Sequence, residues 1–197
     1  MKTLLTMALV LLLAGSAFAQ HENSMGMFFS DTELTEGNTN FDPSLGVPFN
    51  AYLALMGPTQ FSVGGYEVGV SAPATLLALA VTGPNGWTNF GSNFNHLCGY
   101  GTPVPSGGDV VLCTFQLLYT GTETAEIMLG ASTPSSVGGE GPAIADGTNP
   151  DILIVCNYTG AAEYGNVVAT LNGAGIMFPP TVATRSASLS DVKALFE

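Results

Sequence analysis

Residues 47–71 constrain the fold of this chain more than any other stretch. Val47, Phe49, Ala51, Leu53 and Leu55 recur at every second position. That is the spacing of a half-buried strand, because successive side chains point to opposite faces of a sheet. Beyond Gly57-Pro58 the alternation resumes. Tyr66, Val68 and Val70 form an apolar row, against Gly65, Glu67, Gly69 and Ser71 on the other face. The pattern predicts two antiparallel strands joined at Gly57-Pro58, with a bulge at Gly64-Gly65 where the alternation slips.

The remaining apolar runs are short and closely spaced, bounded by turn residues. Residues 25–29 read as a first strand. Residues 75–81, nearly all apolar, read as a strand buried on both faces. Residues 109–120 carry Val111, Cys113, Phe115, Leu117 and Tyr119 on one face and belong in a central position. Residues 96–100, 122–132, 151–157 and 166–172 complete the set. About 8–10 strands at this spacing predict an all-β sandwich. The chain holds 25 Gly and 12 Pro. Its 46% hydrophobic content assigns them to turns between strands, since a disordered chain needs low hydrophobicity.

Residues 1–19 have the form of a secretory signal peptide: Lys2, an apolar run over 4–13, and Ala17-Phe18-Ala19 as the cleavage site. The run is shorter than the roughly 20 residues a bilayer span needs, and no later stretch is long and apolar enough to span. The expected division is 1–19 signal peptide, 20–180 sandwich domain, and 181–197 linker with a short amphipathic tail. Cleavage leaves two cations, Arg185 and Lys193, against 15 carboxylates, a formal charge of −13. No Lys or Arg occurs between Gln20 and Thr184. Such a surface cannot neutralise phosphates, which excludes nucleic acid as a partner. It is repelled by anionic lipid for the same reason.

Several residues are candidates for a site. Trp87, the only tryptophan, precedes a segment rich in Asn and aromatics, including Asn89 and Phe90. Exposed aromatics beside amides suit stacking on sugar rings; the competing reading packs Trp87 over the core. His96 and Cys98 share a face at i, i+2 but have no second His, CxxC or base to complete a metal or nucleophilic site. The acidic loop 30–45 and the turn from Asp146 to Asp151 offer oxygen ligands for Ca²⁺. Neither has the spacing of an EF-hand, so a solvated loop and a plain turn compete with that reading. No other cofactor is expected. Asn157-Tyr158-Thr159 is a glycosylation triplet. Of the three cysteines, Cys98 and Cys113 are the favoured disulfide after export, with Cys156 left over; the other two pairings stay open. In the tail, Leu189, Val192, Leu195 and Phe196 fall on one helical stripe beside Lys193. Ten residues are marginal as a free helix, so the tail docks, frays, or serves as a recognition tag for sorting or surface retention.

The segment from Val47 to Val81, with its Gly65-Tyr66-Glu67-Val68 strand, resembles the opening of cohesin-like, immunoglobulin-related β-sandwiches. The whole chain also resembles a group of uncharacterised secreted bacterial proteins, through Met25-Gly-Met-Phe-Phe29 and the end from Ser190 to Phe196. The resemblance implies a sandwich and export, and it carries no catalytic residues across. Cohesins proper bind dockerin modules through a strand-rich face; no such partner module is present here. The expected role is therefore a non-catalytic binding or structural module, with protein or glycan as its ligand, exported to the extracellular space, the cell surface or the periplasm. The first alternative is a carbohydrate-binding module using Trp87, Asn89 and Phe90. The second is a hydrolase, against which stand the absence of Gly-x-Ser-x-Gly and of a metal-ligand set. A glycosidase carboxylate pair, assembled in space, would leave no mark in the sequence.

Overall fold

Two β-sheets face each other across one apolar core. The computed structural model describes residues 21–179, which form one unit. The proposed signal peptide and the amphipathic tail lie outside the described residues. Thirteen strands are present among the described residues: β1 (Ser24–Phe28), β2 (Asn40–Phe41), β3 (Phe49–Met56), β4 (Ser62–Ser71), β5 (Leu76–Thr82), β6 (Thr88–Asn89), β7 (Asn95–Pro105), β8 (Val110–Tyr119), β9 (Ala125–Gly130), β10 (Ala143–Asp146), β11 (Leu153–Val155), β12 (Asn157–Tyr158) and β13 (Val167–Leu171). One sheet runs β12-β1-β3-β8-β5. The other runs β11-β10-β4-β9-β13-β2, with β7 on the free side of β4 and β6 beyond it. The chain is the all-β sandwich its alternation predicts. Four strands are only two or three residues long, which is why the count exceeds the expected 8–10.

The central pair is not a hairpin. β3 pairs with β1 and β8, whereas β4 pairs with β7, β9 and β10. The segment after Met56 crosses from one sheet to the other. Leu53 and Leu55 on β3 and Tyr66, Val68 and Val70 on β4 then meet inside one core, from opposite walls. An alternating pattern on each side of a turn is equally compatible with a hairpin and an arch, because it specifies a buried face and no pairing partner. The bulge does occur at the glycine pair: the β4–β7 register shifts between Val63 and Gly65.

Two further expectations are corrected. β5 is an edge strand bonded only to β8, so Leu77 and Leu79 stay 45% and 48% exposed and only Leu76 is fully buried. On β8 the inward row is Leu112, Cys113, Phe115, Leu117 and Tyr119, with Val111 only half-buried. The β3–β8 ladder shifts between Leu53 and Ala54, and that irregularity turns both Leu112 and Cys113 inward. Near the C-terminal side, the expected single strand over 151–157 divides at Cys156. β11 joins the sheet of β4, and β12 runs parallel to β1 in the other sheet.

The core is built from Met25, Met27, Leu53, Leu55, Leu112, Phe115, Leu117, Ile127, Leu129, Ile144 and Leu171, all essentially inaccessible. Burying each such side chain stabilises the fold by about 1.5–3 kcal/mol. A second small cluster lies on the outer face of the β1–β3 pair. Phe28, Ala54 and Met56 are covered there by Leu34 and Phe178. Phe28 and Phe178 meet edge to face at 6.1 Å, and the Phe178 N–H donates to the Glu36 carboxylate at 2.6 Å.

Candidate functional site

Cross-strand register assembles one outer surface from five strands. In one row Leu153 of β11 faces Ala145 of β10, Ala145 faces Gly65 of β4, Gly65 faces Gly99 of β7, and Gly99 faces Thr88 of β6. The adjacent row is Val155, Ala143, Glu67 and Leu97. Residues two apart on a strand share a face, so both rows look outward from the same side of the sheet. The centre has almost no side chains, only Gly65, Gly99, Ala143 and Ala145. The sides are tall and apolar: Phe90, Leu97 and Leu153. The result is a groove of about 310 Å³. A Cβ placed on Gly99 would meet nothing within 4 Å, so the floor is open to an occupant there.

Glu67 is the only charged residue that lines the groove, and it is 7% exposed. Both its carboxylate oxygens accept the Ser136 N–H, at 3.0 and 3.1 Å, and one accepts the Ser135 hydroxyl at 3.2 Å. These donors come from the β9–β10 loop, which Glu67 holds against the sheet.

The wall that carries Phe90 is fixed by a buried hydrogen-bond chain. His96 is fully buried. Its Nε2 lies 3.0 Å from the Asn93 carbonyl, which can only accept, so Nε2 carries the proton. Burial lowers the pKa of the imidazole from its ordinary 6.5, keeping it neutral. Its Nδ1 is then the acceptor and Tyr66 donates to it at 3.0 Å. The Tyr66 oxygen in turn accepts the Trp87 indole N–H at 3.1 Å. Trp87, Tyr66, His96 and the Asn93 carbonyl thus form one line that pins residues 87–96 to β4.

This geometry decides the fate of the sugar-stacking trio. Trp87 is half-buried, packed against the core with its N–H consumed by Tyr66. Asn89 is spent on its own turn: its oxygen accepts from the Gly91 and Leu97 N–H groups, and its amide donates to the Ser92 carbonyl. Phe90 alone is offered to solvent, at 77% exposure. The three lie on β6 and at its two ends, and only one of them is presented.

Cys98 on β7 and Cys113 on β8 belong to opposite sheets and both sit beside the Tyr66 hydroxyl. They are free thiols in this structure, as is Cys156, whereas the sequence had favoured a Cys98–Cys113 bridge. The Cys113 sulfur lies 3.8 Å from His96 Nδ1. Burial pushes Cys98 up to about 11, Cys156 up to about 12 and Cys113 higher still. None is a nucleophile at neutral pH.

Three of the carboxylates proposed for Ca²⁺, Glu36, Asp42 and Asp146, are used locally. Glu36 accepts from the Phe178 backbone, and Asp42 from the Asn40 amide. Asp146 accepts from the Thr148 hydroxyl and N–H and from the Asn149 N–H; the Thr148 bonds lead in lowering its pKa. Among the described residues, no three His, Cys, Asp or Glu gather as a metal site. No helix among them is long and apolar enough to cross a membrane. At the glycosylation triplet Asn157 is exposed, but the Thr159 hydroxyl is buried and without a hydrogen-bond partner.

The sequence reading placed Glu67 on the outward row of β4 but did not single it out. The signal that was present is a carboxylate in mid-strand flanked by glycines on its own face. Leu153 and Val155 lay in a segment read as a strand, and Ala143 and Ala145 in one that had no reading, because nothing local shows that β10 and β11 extend the sheet of β4.

The architecture and its outward groove define a cohesin-like β-sandwich. Among solved structures, the sixth cohesin of Acetivibrio cellulolyticus scaffoldin B, solved in complex with a Cel5 dockerin mutant, is 12% identical. The match covers 78% of this chain and 99% of that one, with a TM-score of 0.51. A type II cohesin domain from the cellulosome of the same organism is 13% identical over 79% of this chain and 95% of its own (TM-score 0.45). A cohesin module of a Clostridium perfringens family 33 glycoside hydrolase is 14% identical over 68% and 90% (TM-score 0.43). No protein-family model and no curated protein matches the sequence. At these identities the likeness is one of fold.

Proposed function

We propose that the protein is an exported, non-catalytic module that binds a partner protein through the outer face of β6, β7, β4, β10 and β11. The observation that carries this reading is the groove itself. An outward sheet face normally bears polar side chains; this one has a floor of glycine and alanine between exposed Phe90 and Leu153. A small-residue floor with apolar walls receives a protruding apolar side chain, the anchor of most protein interfaces. The fold agrees, since the scaffoldin B cohesin was solved with a dockerin bound. An enzyme finds no support: the only buried imidazole is neutral and tied on both ring nitrogens.

The test is a photo-crosslinking residue at position 90, with position 79 on the β5 edge as the control, expressed in the native host. One protein joined at 90, absent at 79 and lost when Gly99→Trp fills the floor, is the expected result. Equal labelling at both positions, or labelling indifferent to Gly99→Trp, overturns the reading.

Export belongs to the same proposal, with 1–19 removed, the domain over 20–180, and 181–197 as a retention or sorting tail. Leu189, Val192, Lys193, Leu195 and Phe196 would be its recognised face. Fractionation of the host should find the full chain at the surface and a chain ending at residue 185 in the medium. The same fraction for both removes the tail's role.

A further inference from the structure

Glu67 has no counter-charge. It lines the groove, 7% exposed, on a face otherwise built of small and apolar residues. Residues 21–179 contain no Lys or Arg, and its donors are the neutral Ser135 hydroxyl and Ser136 N–H. An ionised carboxylate withdrawn from water without a cation is costly. A glutamine would accept the same Ser136 N–H with no such cost, so holding the loop does not require a carboxylate. Its two oxygens offer about four acceptor positions, and the loop donors leave room for another charge-assisted bond. The surrounding domain, with 13 carboxylates and no Lys or Arg between residues 20 and 180, draws cations toward this face.

We propose that Glu67 receives one lysine or arginine side chain of a partner protein segment while apolar neighbours of that residue pack on Phe90, Leu97 and Leu153. This inference rests on the groove being the binding face and adds the chemistry of the segment that fills it: one basic residue flanked by apolar ones. The basic head supplies the charge the domain lacks, and the apolar flanks fill the small-residue floor.

The experiment uses a phage-displayed library of twelve-residue peptides, selected on the immobilised mature chain at physiological salt. Wild type, Glu67→Gln and Phe90→Ser are compared. The expected result is a set of peptides with Lys or Arg beside apolar residues, weakened at least tenfold by Glu67→Gln and also weakened by Phe90→Ser. Exchanging the peptide's own arginine for citrulline, or its lysine for norleucine, should cause a similar loss, and this arm holds even if Glu67→Gln fails to fold. Saturation with such a peptide should also shift the Ser136 amide resonance of the wild-type chain. Peptides that depend on Phe90 but change less than threefold on losing their own charge would overturn the role of Glu67 and leave the groove reading standing. Peptides indifferent to Phe90, or no selection at all, would remove both.

Discussion

Burial of single titratable residues gives this sandwich a defined pH profile. His96 is held neutral, with its pKa lowered from 6.5 by desolvation. Below pH 6.5 the unfolded chain takes up a proton that the folded chain resists, so stability is complete above that value and falls on acidification. On the alkaline side, burial raises Cys98, Cys113 and Cys156 from 9.0, and Tyr66 and Tyr100 from 10.0. There the unfolded chain loses protons that the folded chain retains, and stability falls above about pH 9. Thermal melts from pH 5 to pH 10 should therefore show a plateau between these limits. His96→Gln should melt lower at pH 7.5 yet lose less between pH 7.5 and pH 5.5 than wild type. An equal acid loss in that variant would remove His96 as the cause. At the same scale two glycines of the groove part company. A Cβ on Gly65 would drive into the Cys98 carbonyl oxygen, which is backbone and cannot rotate away. Gly65→Ala should cost about 1–3 kcal/mol as overpacking does, and Gly99→Ala should stay within about 0.5 kcal/mol, both read from urea denaturation.

Single strands show where alternation informs and where it misleads. Residues 47–71 revealed most of the side chains that face the core: Ala51, Leu53, Leu55, Tyr66, Val68 and Val70 do, whereas Phe49 is only partly buried and Val47, ahead of β3, is 53% exposed. They did not reveal that β3 and β4 lie in different sheets, because a period of two is a property of one strand, whereas pairing belongs to two. β5 shows the converse failure. Its apolar run suggested burial on both faces, but its place at the edge leaves Leu77 and Leu79 half-exposed on a strand without a charge. Uncharged apolar edges invite pairing with another chain. Leu79→Lys should leave the melting temperature within the error of a surface change and raise the concentration at which the protein aggregates, measured by light scattering. A large drop in melting temperature would show that Leu79 packs more tightly than its exposure indicates.

The molecule as a whole carries its charge in one sign. With no Lys or Arg in residues 21–179, no basic side chain of that kind offsets the carboxylates there, and the folded state works against its own repulsion. Raising NaCl from about 10 to about 500 mM should therefore increase the melting temperature, since screening shortens the range of that repulsion to a few Å. A protein held by surface ion pairs would show the opposite trend. The sequence by itself determined the sandwich, the acidic surface and the buried rows, because each follows from composition or from the strand period, which are local quantities. It also singled out Trp87, Asn89 and Phe90 as neighbours along the chain. Only the tertiary structure decided that Trp87 faces inward to Tyr66, and that Gly65, Glu67, Gly99, Ala145 and Leu153 share one surface. Those residues come from four strands spread over nearly 90 positions, and cross-strand register, set by hydrogen bonds between distant segments, is what brings them together.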